Sequence, residues 1–142
     1  MKRNSLFFKQ WIGVTFGSIL LLGASFLVYF LLFALFERLG NSEGQYGFVS
    51  TLRVGYGIFW MILCICLYFT EMPDCLKACF LTAGMSAFLI AISVQLYNIP
   101  WAFITLSAFS ILVGLLILLK LKKKWYHYYA LLLVIPFLIL YL

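Results

Sequence analysis

Lys120-Leu121-Lys122-Lys123-Lys124-Trp125-Tyr126-His127-Tyr128-Tyr129 separates two long apolar runs and holds four of the ten basic residues of the chain. Lysines between hydrophobic segments, followed at once by Trp and Tyr, are what a membrane–water boundary selects. Ammonium groups sit among headgroups, and amphipathic rings sit just inside them. This cluster therefore marks one side of a bilayer, and the remaining segments must alternate from it.

Composition supports that reading. Mean hydropathy is +1.13, with 66% hydrophobic and 10% charged residues, whereas soluble domains carry about 25% charged residues. The net charge of +6 would suggest nucleic acid in a soluble protein. Here the basic residues flank apolar runs, so the expected partner is the anionic headgroup layer of a lipid bilayer, and no nucleic acid.

Five spans are expected: Trp11–Phe36, Phe48–Phe69, Ala78–Tyr97, Trp101–Leu119 and Trp125–Leu142. The first is too long for the core of a signal peptide, which is about 7–15 residues. Glu37–Gly47, with its glycines and short polar residues, reads as a loop, and Pro73 marks the turn between the second and third spans. Pro100 suits a first helical turn, and Pro136 predicts a bend in the last span. An N-terminus in the cytoplasm puts Lys2, Arg3, Lys9, Lys77, Lys120, Lys122, Lys123 and Lys124 inside, and only Arg38 and Arg53 outside. The expected fold is all-α: a polytopic integral membrane protein of about five transmembrane helices, N-terminus cytoplasmic and C-terminus extracytoplasmic. The expected location is a bacterial plasma membrane.

Small residues predict where helices meet, because close backbone approach drives packing in lipid. Gly13 and Gly17 mark one face of the first helix, with Leu21 expected to face lipid. Ala83, Ala87 and Ala91 recur at four-residue spacing with Cys79 on the third, and Gly114 follows Ser107 and Ser110 on the fourth. Thr82, Ser86, Ser93 and Gln95, facing Thr105, Ser107 and Ser110, outline a weakly polar groove between the third and fourth helices. Arg53 is the one charge placed inside a span, and an ion pair with Glu37 is expected to close the outer ends of the first two helices. Glu43 is the other acid on that side.

Val54-Gly55-Tyr56-Gly57 resembles the last four residues of a potassium-channel filter, in which backbone carbonyls replace the hydration shell of the ion. Arg53 stands in the place of the filter threonine and Ile58 where an acidic residue belongs. The glycines are therefore read as points of helix contact. Cys64, Cys66, Cys75 and Cys79 lack the paired spacings of metal sites, and no metal or cofactor is expected. His127, alone among tyrosines, is read as a residue of the aromatic belt, with proton exchange toward Glu71 or Asp74 as its functional alternative.

No acidic residue falls near the middle of a span, where ion-coupled transporters need one. No nucleophile shares a side and depth with a base. The expected function is accordingly non-enzymatic: a subunit or modulator of a larger membrane complex, partnered by other membrane subunits or by itself. The alternative is a small homo-oligomeric transporter or flippase for a lipid or apolar solute.

Overall fold

The computed structural model describes residues 2–40 and 46–141. Loop positions 41–45, Glu43 among them, and the last expected span residue Leu142 lie outside the described residues. Within these bounds the protein is all-helical: α1 (Lys2–Gly40), α2 (Phe48–Tyr68), α3 (Asp74–Gln95), α4 (Pro100–Lys120) and α5 (Trp125–Tyr141). The first four are long and apolar enough to cross a membrane. At 17 residues, α5 is about 25 Å long at 1.5 Å per residue, a little short of the roughly 30 Å hydrocarbon core.

Helix α1 runs beyond the expected span at both ends. Its 39 residues correspond to roughly 58 Å, nearly twice the roughly 30 Å of a hydrocarbon core. Helix α5 is unbroken through Pro136. A proline removes one backbone bond there, and packing of neighbouring residues Val134 and Leu138 into the core holds the helix on either side.

Helix α3 is the centre of the bundle, and its composition explains why. Ala78, Ala83, Gly84, Ser86, Ala87 and Ala91 are all buried. Side chains this small let α1, α2 and α5 each lie against one helix. A Cβ at Gly57 of α2 would stand 2.8 Å from the Ala91 Cβ and 3.3 Å from the Phe88 Cα. One at Gly84 would stand 3.1 Å from the Trp60 carbonyl oxygen. The backbones of α1 and α2 seldom come close, and these helices meet through side chains such as Tyr56, which donates to the Ser25 carbonyl at 2.6 Å, while α4 rests mainly on α5.

The helix ends sort into two groups. At one end Phe7 stacks on Trp125 with ring centroids 4.1 Å apart, and Asp74 pairs with Lys124 at 3.2 Å. At the other, Gln95 donates to the Ser50 hydroxyl at 2.8 Å. Lys122 has φ 49°, the left-handed conformation that usually closes a helix with glycine. Just before it the Leu121 N–H still donates to the Ile117 carbonyl. This turn folds the chain tightly from α4 into α5.

Candidate functional site

The site is a groove that exists because α4 leans on α5 while, among the described residues, its backbone nowhere comes close to that of α2. Gly114 allows that lean, since a Cβ there would stand 3.2 Å from Leu131 of α5. The Tyr128 hydroxyl fixes it by donating to the Leu118 carbonyl at 3.2 Å. Between α2 and α4 this leaves a cavity of about 460 Å³. Met61, Cys64 and Ile65 form one wall, Phe109, Ser110 and Gly114 the other, and Leu81 and Met85 of α3 the floor. Its outer rim includes Ile65, Phe109 and Ile117, all exposed, so the groove opens sideways into whatever surrounds the helices. Tyr68 and Ser110 supply the only hydroxyls of an otherwise apolar lining.

One end of the groove is polar, and Tyr68 is its pivot. The Tyr68 hydroxyl is 2.8 Å from His127 Nδ1. Lys77 Nζ donates to the Tyr68 carbonyl at 3.4 Å, and Lys123 Nζ lies 5.5 Å from the centre of its ring. His127 is completely buried, and its Nε2 has no partner among the described residues. Asp74, at the same end, is engaged by Lys124. That hydrogen bond holds the Lys124 ammonium above its ordinary range.

The residues singled out from the sequence are distributed more widely than expected. Gly17 meets Cys79, with a Cβ there 2.6 Å from the Cys79 Sγ, and Ala83, Ala87 and Ala91 are buried on α3. Gly13 has open space at its Cβ position, so the two glycines do not share one packed face. Leu21, expected to face lipid, packs against the cluster of Trp60, Ala83 and Ala87. Leu20 is the exposed neighbour.

The expected polar groove between α3 and α4 does not assemble. Thr82 turns to α5 and donates to the Ala130 carbonyl at 2.7 Å. Gln95 turns to α2, Ser93 bonds back to Ile90, and Thr105 to Trp101. The Ser86 and Ser107 hydroxyls are buried without a hydrogen-bond partner among the described residues. Of the set only Ser110 lines the α2–α4 groove. The cause is the central position of α3, whose polar groups are divided among its neighbours.

Arg53 and Glu37 are not brought together either. Among the described residues the only ion pair is Lys124–Asp74. Phe48 stacks near Phe33 and Phe36, and this register sets Arg53 beside Ser25, Tyr29 and Tyr141. Glu37 lies beyond that level and accepts from the Tyr46 hydroxyl at 3.5 Å. The filter-like stretch 54–57 is ordinary helix inside α2, so its carbonyls are used in the helix ladder. All four cysteines are free, and no group of three or more His, Cys, Asp or Glu suited to a metal occurs among the described residues.

The groove and the Tyr68–His127 pair escaped the sequence reading. Ser110 and Gly114, four residues apart on the fourth helix, carried a signal, but Gly114 read as packing and Ser110 as part of a groove facing the third helix instead of the second. His127 read as an exposed belt residue, and nothing in its neighbours along the chain points to Tyr68. Comparison with family models, with curated proteins and with solved structures finds no match.

Proposed function

We propose that this chain is a small multi-pass integral membrane protein, without a catalytic site of its own, that holds a lipid or apolar solute between α2 and α4. The observation that carries this reading is the apolar groove of about 460 Å³ with an exposed rim. Its size is within the roughly 300–1,000 Å³ typical of ligand pockets. In a bilayer a sideways opening faces acyl chains, so a hydrophobic guest enters without crossing water. The polar end, with Lys120–Lys124, lies toward the cytoplasm by the distribution of basic residues. α5 acts as a fifth span in a plasma membrane, and a reporter fused after Leu142 should then behave as extracytoplasmic.

A second reading, subunit or modulator of a larger membrane assembly, is favoured by Gly13 and Gly23 of α1. Both have open space where a Cβ would be, leaving room for a further helix to approach. Purification in mild detergent separates the two. The groove reading expects tightly retained lipid that is lost in Ser110→Trp, whose indole obstructs the middle of the groove. A stoichiometric foreign protein, with lipid content unaffected by Ser110→Trp, supports the subunit reading instead.

A further inference from the structure

We infer that the guest of the α2–α4 groove is an anionic lipid, its acyl chain in the groove and its phosphate held by Lys77 and Lys123. This rests on the groove reading proposed above and adds the chemical class of the guest.

Lys77 is the telling residue. It is buried, at 8% exposure, yet among the described residues its ammonium has one hydrogen bond, to the Tyr68 carbonyl at 3.4 Å. A buried ammonium is costly unless it is paired with a charge. Among the described residues no carboxylate lies within ion-pair distance of it: of the two acids at this end, Asp74 is taken by Lys124 and Glu71 is exposed in the α2–α3 turn. Lys123 approaches the same tyrosine from the face of its ring. Two cations without a carboxylate partner therefore converge on Tyr68, whose side chain lines the end of the apolar groove.

The arrangement has the two parts an anionic lipid has, in the same order. An apolar channel runs along the helices, and positive charge waits where the channel reaches the lysine-bearing end of the bundle. Basic pockets between membrane helices bind anionic headgroups for this reason. A zwitterionic lipid matches the channel equally well and also brings a phosphate, but its own ammonium group cancels that charge, so it compensates the lysines less than a lipid of net negative charge. Selectivity by charge is thus the property that the lysines add to the groove.

The test is reconstitution of the whole protein in nanodiscs of equal phosphatidylglycerol and phosphatidylcholine, with retained lipids counted by native mass spectrometry. The wild type should keep phosphatidylglycerol over phosphatidylcholine by up to about thirtyfold, given about 1 kcal/mol of attraction for each of two lysines near a headgroup. Lys77→Gln with Lys123→Gln should reduce the preference to about twofold or less while the total retained lipid stays constant. Lys123→Gln alone, less intimately packed, should show an intermediate preference and covers failure of the double variant to fold. No preference in the wild type, or an unchanged preference in both lysine variants, overturns the anionic assignment. Retained lipid unaffected by Ser110→Trp overturns the groove reading beneath it. A lipid-free dimer that Ser110→Trp converts to monomer assigns the groove to a second copy of the chain and overturns both.

Discussion

Gly57→Leu should be the most damaging single substitution in the α2–α3 contact, while Gly55→Leu two residues away should be nearly silent. A Cβ at Gly57 meets the Ala91 Cβ at 2.8 Å and the Phe88 Cα at 3.3 Å. The second of these is backbone, so a side chain swing cannot relieve the clash. Helix α2 would have to move away from α3, loosening the most extensive contact in the bundle. Overpacking usually costs about 1–3 kcal/mol and occasionally more, and displacement of a whole helix belongs at or above the upper end. Gly55 has nothing within 4 Å of its Cβ position, and a leucine there reaches open space. Thermal unfolding of the two variants in the same detergent checks the pair. Equal melting temperatures would show that α2 does not approach α3 through Gly57.

His127→Ala should come next, at about 2–4 kcal/mol, by leaving a cavity and an unsatisfied hydroxyl together. His127 is completely buried and bonds the Tyr68 hydroxyl at 2.8 Å, tying α5 to the end of α2 at the floor of the lysine cluster. Tyr68→Phe should cost less, because it removes one partner and leaves the ring packed. Once Tyr68 is Phe, the further loss from His127→Ala should shrink, since the hydroxyl it would strand is gone. Denaturant unfolding of the two single variants and the double variant measures this coupling. Strictly additive losses would mean that the two side chains do not support each other.

The five helices were legible from hydropathy alone, because lipid demands long uninterrupted apolar runs and this chain punctuates them with Pro73, Pro100 and the lysine cluster. The centrality of α3 was half legible. Its alanine row signalled close packing, but the number of neighbours sharing it depends on how the helices turn about their axes. A period of 3.6 residues does not fix that rotation when nearly every position is apolar. For the same reason Gly13 and Gly17, four residues apart, were read as one face, although a Cβ would run into α3 at Gly17 alone of the two, and Gly13 offers Cys79 only its carbonyl. Arg53 was matched with Glu37 on sidedness alone. The register set by Phe48 against Phe33 and Phe36 separates them, and aromatic stacking across two helices leaves no mark in a linear sequence. The groove was the least legible feature of all. It is created by a lean of α4 toward α5, decided by Gly114 against Leu131 and by one hydroxyl from Tyr128.

The proposed occupant of the space between α2 and α4 is a lipid of the surrounding membrane. A photoactivatable acyl lipid in nanodiscs tests this most directly, with the adducts mapped by peptide mass spectrometry. Leu81 and Met85 are buried at the floor of the groove, and an acyl chain reaches them only by entering it. Adducts on Leu81 and Met85, lost in Ser110→Trp, are the expected result. Adducts confined to outward residues such as Leu20 and Leu27 of α1, with none on the floor, would contradict it.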